Sequence, residues 1–378
     1  MKRRFVPVLI LFVVVVFSFF LSFSRFHVLS EEKNNFSYSN SNVCNADWLK
    51  KEMLRMGPPL TKSVFSSPPR AAVISILGVA NNDADSQVLF NKHLSELGEN
   101  FNRLDLYFLY PFKMDFVLFF PADVQFIANV TLISFQLDWK ELSPPQQLFG
   151  TTIYSYFTKL NTVVKVVGRP FPLPHFIQQN LSLLDGEDWL ACAGRKHSLS
   201  YNLYSGAAFV FHLFFDQVLE TYDFTFKVDT DVVFFSQPPD NPIAAMMKRE
   251  CAFLHTRIWP GNSHHSCQEN AYESMVEFSK LSGRQALSVD YEWCKNTDYF
   301  YGNLVGLSTT FFFSPAMKLF SKWLYECTRD NGYFRHRWGD QASYPIFLCQ
   351  WLDIPDIRNN EQICDFSSWR GTVFFHPE

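Results

Sequence analysis

The feature that most constrains this chain is at its start. Lys2, Arg3 and Arg4 precede an apolar run from Phe5 to Phe23 that contains no charged residue and is closed by Arg25. A helix crosses the hydrocarbon core with about 20 such residues, and a basic cluster on its N-terminal side keeps that end in the cytoplasm. A cleaved signal peptide has a shorter apolar core, about 7–15 residues, followed by a small-residue cleavage site. Ser22-Phe23-Ser24-Arg25 is a poor site of that kind. The run therefore reads as an uncleaved signal anchor over residues 5–24, after a cytoplasmic tail of residues 1–4. No other stretch of that length lacks charge, so the chain is expected to cross the membrane once and to fold on the lumenal side.

The remaining signals fit a lumenal protein. Asn35-Phe36-Ser37, Asn129-Val130-Thr131 and Asn180-Leu181-Ser182 are glycosylation sequons. The 8 cysteines allow up to four disulfides in an oxidising lumen. They contain no C-x-x-C, which argues against a zinc ribbon or a thioredoxin motif. The formal net charge of −4 argues against a nucleic-acid partner, which calls for a basic surface. No G-x-G-x-x-G or P-loop cradle is present. With 47% hydrophobic residues and 42 Phe, the chain has ample material for a large core.

Residues 25–69 are rich in Ser, Asn, Glu and Lys and end in Ser66-Ser67-Pro68-Pro69, the composition of a stem. Within it, Asp47 to Met56 has the pattern of a short helix. Residues 70–378 form one large domain. Ala71 to Leu77 is a continuous apolar run, the signature of a buried parallel strand. A helix is expected over Asp83 to Leu97. Strands are expected over Leu104–Leu109, Phe116–Phe120 and Val163–Val167. This alternation predicts an α/β fold with a mixed, mostly parallel sheet flanked by helices.

The chemistry concentrates in the second half. In Thr225-Phe226-Lys227-Val228-Asp229-Thr230-Asp231-Val232-Val233-Phe234-Phe235, an apolar strand runs into two Asp residues and apolar residues resume at once. Carboxylates at the end of a buried strand need a compensating partner. Mg²⁺ or Mn²⁺, held by one or two carboxylates plus substrate phosphates, is such a partner. In open α/β sheets ligands bind beyond the carboxyl ends of strands. The bland alternative is a solvated turn between two strands.

A second cluster, Gly332-Tyr333-Phe334-Arg335-His336-Arg337-Trp338-Gly339-Asp340-Gln341, reads as a loop entering a helix near Asp340. Its aromatics suit sugar faces, its Asp suits sugar hydroxyls, and Arg335 and Arg337 suit a diphosphate. The bland reading of Asp340 is a helix cap. At the C-terminus, the strand-like Thr372-Val373-Phe374-Phe375 ends in His376-Pro377, and a neutral imidazole there would complete an Asp229/Asp231 metal site. His255, His264, His265 and Cys267 lack zinc spacing and read as a solvated loop. Phe311-Phe312-Phe313 reads as a core strand, and Lys248-Arg249 as a helix end.

The order Tyr204-Ser205-Gly206, F-K-V-D-T-D-V-V-F-F, Gly332 to Asp340 and Phe374-Phe375-His376-Pro377 resembles the fungal Golgi α-1,2-mannosyltransferase family over roughly residues 70–378. Members carry Y-S-G, V-E-P-D-V-x-F-F, G-x-x-x-x-R-W-G-D and F-Y-H-C-P in that order. The chain looks closer to uncharacterised eukaryotic relatives of the family.

The resemblance implies a GT-A fold, a type II membrane protein of the Golgi or ER, Mn²⁺ (or Mg²⁺), and a nucleotide-diphosphate sugar donor, with GDP-mannose first. It implies metal contacts from Asp229, Asp231 and His376. It implies nucleotide-sugar contacts from Tyr204, Ser205, Gly206, Asp229, Arg335 and Trp338. Asp340, Asp298 and Arg337 are the catalytic candidates, and the acceptor is a glycan or glycoprotein. One departure stands out: Val305, in Asn303-Leu304-Val305, occupies the place of the family's proposed nucleophilic Glu. A shifted register, another acid (Asp298 or Glu292) or a front-face route would each accommodate it. So would a catalytically inactive, carbohydrate-binding domain.

Overall fold

The structure, a computed structural model, describes residues 41–61, 68–76, 114–120, 140–141, 146–148, 151–157, 163–168, 191–192, 195–196, 217–229, 232–234, 241–259, 268–328, 332–336, 338–371 and 373–375. The expected anchor, the Asp83–Leu97 helix and the Leu104–Leu109 strand lie outside them. Among the described residues, no helix is long and apolar enough to cross a membrane.

Sixteen strands occur in the described residues. The first eight are β1 (Ala71–Ile76), β2 (Met114–Phe120), β3 (Lys140–Glu141), β4 (Gln146–Leu148), β5 (Thr151–Phe157), β6 (Val163–Gly168), β7 (Ala191–Cys192) and β8 (Arg195–Lys196). The rest are β9 (Phe224–Val228), β10 (Val232–Phe234), β11 (Phe253–His255), β12 (Ile258–Trp259), β13 (Tyr299–Phe300), β14 (Leu304–Ser308), β15 (Ile363–Asp365) and β16 (Val373–Phe375). Ten belong to one sheet in the order β15-β11-β14-β9-β1-β2-β6-β5-β3, with β4 on β5. The centre, β9-β1-β2-β6, is parallel. β14 runs antiparallel between β9 and β11. All six residues of β1 are buried, as a strand covered on both faces requires, so its sequence does not alternate, and its one polar side chain, Ser75, donates to the Val228 carbonyl at 2.6 Å.

The helices are α1 (Ala46–Met56), α2 (Pro242–Arg249), α3 (Ala271–Ser282), α4 (Glu292–Lys295), α5 (Thr309–Phe312), α6 (Pro315–Cys327), α7 (Gly332–Arg335) and α8 (Asp340–Trp351). Their boundaries follow local chemistry. Asn241 accepts from the N–H groups of Ile243 and Ala244 at 3.0 and 3.1 Å, with Pro242 in the first turn, so α2 has both a side-chain cap and a preset φ at its start. It ends at Lys248-Arg249, as expected, with Glu250 in the left-handed region at φ 54°. α8 is the exception to amphipathicity: every residue from Ala342 to Trp351 is buried. A helix apolar all round belongs in the interior. It packs Tyr344 on Phe253 of the sheet, with ring centroids 4.9 Å apart, and Phe347 on Phe320 of α6 at 5.5 Å.

Part of the segment expected as stem packs on the domain. The helix within it is present, but Val43, Leu49 and Met53 are buried in the main core, and Cys44 is bonded to Cys327 of α6. An apolar stripe at helical spacing is satisfied here by tertiary packing, which polar composition averaged over the segment conceals. Phe311-Phe312-Phe313 is not a strand. It forms α5 and its C-cap, because Ser308 ends β14 and the three rings pack inward from a single helical turn. Two further disulfides, Cys251–Cys364 and Cys294–Cys349, tie the approach to β11 to β15 and α4 to α8.

Candidate active site

The site lies where β9 ends. Asp229 follows its last residue, and its N–H donates to the carbonyl of Asn303 at 2.9 Å. Its own carbonyl accepts from the N–H of Val232 at 3.2 Å. β10 begins at Val232 and pairs antiparallel with β16. Val232 stands opposite Phe375. These are the chain neighbours of Asp231 and His376, which themselves lie outside the described residues, as do Tyr204, Ser205, Gly206 and Arg337. Of the implied metal set, Asp229 alone is described, and among the described residues no three His, Cys, Asp or Glu side chains gather as a metal site.

Lys227, two residues before Asp229 and on the same face of the strand, joins the two halves of the site. It is only 7% exposed. Its ammonium donates to the Gly302 carbonyl at 2.9 Å and to the carboxylate of Asp340, and lies 2.5 Å from Asp229 Oδ1. Burial alone would favour the neutral amine. The carboxylates of Asp229 and Asp340 outweigh it and hold the lysine pKa above its ordinary value. Tyr344, one helical turn beyond Asp340, has its hydroxyl pKa pushed well up, first by burial, against the opposing effect of Lys227.

Asp340 is the first residue of α8, but Gly339 is the N-cap and no side chain caps the helix there. One carboxylate oxygen, Oδ1, accepts the Gln341 N–H at 2.8 Å, and the other faces Lys227. Anionic charge at a helix N-terminus is favoured by the backbone dipoles. Two residues of the loop hold this arrangement. Gly302 lies against the Asp340 carboxylate, so closely that a Cβ would overlap it. Gly332 lies under the Trp338 indole in the same way, and the Trp338 N–H donates to the Gly332 carbonyl at 2.9 Å.

Trp338, one of the expected nucleotide-sugar contacts, lies in the core. It is fully buried, its ring N–H donates to the Glu269 carbonyl at 3.0 Å, and its ring packs edge-on against Tyr333. A ring so enclosed shapes the loop. Arg335 lies in α7. Asp298 precedes β13 at the end away from Gly302, its N–H donating to the Trp293 carbonyl at 2.9 Å. Glu292 opens α4 and accepts from Asn296 on the surface at 2.9 Å.

Val305 pairs with Lys227 on one side and His255 on the other, and is fully buried between them. His255 is also buried, its ring 5.0 Å from that of Phe300, so it belongs to the sheet and not to a solvated loop. The sequence signal for Lys227 was present. A lysine inside F-T-F-K-V must find partners if the strand is buried, but which partners depends on Gly302 and Asp340, more than seventy residues away in sequence.

Comparison with solved structures gives the fold a context. The chain superposes on core-mannan synthase A (CmsA/Ktr4) of Aspergillus fumigatus, solved in a Mn/GDP form, with a TM-score of 0.53 and 17% identity over 78% of this chain and 73% of that one. It superposes on the mannosyltransferase Ktr4p of S. cerevisiae with a TM-score of 0.50 and 15% identity over 85% and 78%. At these identities the fold is what is shared. No protein-family model matches the chain, and no curated protein matches it by sequence.

Proposed function

We propose that this protein is a type II membrane glycosyltransferase of the Golgi or ER. In this reading it moves a hexose, mannose first, from a nucleotide-diphosphate sugar such as GDP-mannose to a glycan or glycoprotein acceptor. The observation that carries it is the Asp229–Lys227–Asp340 cluster at the carboxyl end of a parallel strand, in the fold of fungal mannosyltransferases. That edge is where ligands of α/β sheets bind.

Mn²⁺ or Mg²⁺ suits the oxygen donor at Asp229. The pairing of Val232 with Phe375 supports Asp231 and His376 as its companions. Bound there, the cation would stabilise the leaving diphosphate as a Lewis acid. Arg335 and Arg337 would take the diphosphate oxygens bidentately, and Tyr204, Ser205 and Gly206 would line the nucleotide-sugar cleft. Asp340 accepts a hydrogen bond from a sugar hydroxyl and orients it, and Asp298 is the reserve acid.

The test is donor turnover by the full-length chain in detergent across nucleotide sugars with Mn²⁺, beside Asp229→Ala and a chelator-treated sample. Turnover or binding of a donor that both treatments abolish supports the reading. No binding of any donor, or no effect of Asp229→Ala, sinks it.

One observation favours a second reading, a catalytically inactive carbohydrate-binding domain. Val305 fills the position of the family's Glu with a fully buried apolar side chain. Glycan binding that needs neither metal nor donor would favour that alternative.

A further inference from the structure

We propose that Lys227 is a positioning residue for Asp340, and that Gly302 is the seat that lets it act. The inference rests on the glycosyltransferase reading and assigns within it what aims the hydroxyl-binding carboxylate.

An ammonium carries three donors. Lys227 meets three acceptors: the Gly302 carbonyl at 2.9 Å, Asp229 Oδ1 at 2.5 Å, and the Asp340 carboxylate. Its side chain is 8% exposed. Asp340 is gripped on both oxygens, by Lys227 on one and by the Gln341 N–H at 2.8 Å on the other. A carboxylate held twice cannot rotate without breaking a contact.

Gly302 completes the seat. Its φ is not in the left-handed region, which among the described glycines is occupied by Gly57 and Gly283, so no backbone requirement selects glycine there. Space does: any Cβ would overlap the Asp340 carboxylate. Without the ammonium, Asp229 and Asp340 would face each other as like charges, and Asp340 would leave the seat. Misplacing a positioning group by about 1 Å can cost about 10²-fold in rate.

The experiment uses the full-length chain with GDP-mannose and Mn²⁺. It compares wild type with Lys227→Met, Lys227→Arg, Gly302→Ala, Asp340→Asn and the double variant Lys227→Met/Asp340→Asn. In Gly302→Ala, kcat should fall about 10²-fold with donor KM near wild type, and Lys227→Met, which also frees Asp229, should lose kcat to a similar extent. Lys227→Arg should recover part of the loss. The double variant should be no slower than Asp340→Asn alone, because Lys227 acts through Asp340.

Multiplicative losses in the double variant, or a wild-type kcat in Lys227→Met, overturn the proposal. If Lys227→Met does not fold, Gly302→Ala carries the same test. A wild type inert with every nucleotide sugar refutes the glycosyltransferase reading instead. A crystal structure of Lys227→Met then decides the positioning claim. An Asp340 carboxylate displaced from residue 302 supports it, and one left in place overturns it.

Discussion

Lys227 and Tyr222 show two ways a polar side chain is tolerated inside this fold. Lys227 is matched by opposite charges. Tyr222 is matched by hydrogen bonds: its hydroxyl donates to Asp115 Oδ2 at 2.7 Å and accepts from Lys165 Nζ at 2.5 Å, beneath a guanidinium contact from Arg70 at 5.3 Å. Burial, then the Asp115 charge, pushes the Tyr222 pKa above its ordinary value. A phenol whose pKa is raised on folding contributes stability that is intact below the unfolded value, about 10, and is lost as pH rises beyond it. Tyr222→Phe should therefore cost about 1–3 kcal/mol in urea unfolding at neutral pH, and it should flatten the fall in stability above about pH 10. A loss that is the same at pH 8 and pH 11 would contradict this. Gly332→Ala tests the other kind of fit. Its Cβ would enter the Trp338 indole, and overpacking of this sort costs about 1–3 kcal/mol. Thermal unfolding beside Gly57→Ala, whose Cβ meets nothing within 4 Å, separates this clash from strain at positive φ.

Among the elements, α8 does the most to build the site. It presents Asp340 at its N-terminus and is buried from Ala342 to Trp351. Cys349 bonds it to Cys294 of α4. At the other side of the core, Cys44 bonds the segment before α1 to Cys327 of α6 across 283 residues of sequence. Replacing Cys44 and Cys327 by Ser should lower stability by about 2–5 kcal/mol, measured by denaturant unfolding. Donor turnover of the folded fraction should stay near wild type, since neither cysteine touches the Lys227 cluster. A drop in turnover without a drop in stability would show that α1 is coupled to the site.

For the whole molecule, residues 41–56 pack with the folded domain. A chain begun at residue 41 keeps the Cys44 bond and the buried faces of Leu49 and Met53, and one begun at residue 58 loses all three. The first should unfold cooperatively near the full-length midpoint. The second should expose the facing surface of α3 and α6, bind a hydrophobic dye such as ANS, and lose several kcal/mol, since burying a Leu or Met side chain is worth about 1.5–3 kcal/mol each. Equal midpoints for the two would return residues 41–57 to the stem.

Much was legible in the sequence by itself. The strand at β1 followed from an unbroken run of small and apolar residues, and the start of α8 from the loop-like cluster that runs into Asp340. The place of Asp229 just past the end of β9 followed from carboxylates set in apolar runs, which burial makes costly unless they sit at a strand end. The resemblance to fungal mannosyltransferases rested on four short elements, and the fold they implied is the one found. What only the tertiary structure decided was partnership. Trp338 has the composition of a sugar platform but lies inside the core, because Gly332 gives its ring a place to stack. Polar residues 41–56 carry an apolar stripe that only α3 and α6 could reveal as buried. Lys227 was visibly a charge in an apolar strand, yet its tie to Asp340 spans 113 residues. Local patterns report which side chains will be buried. Which distant group satisfies each one is set by how β9, the Gly302 turn and α8 converge, and no local pattern carries that information.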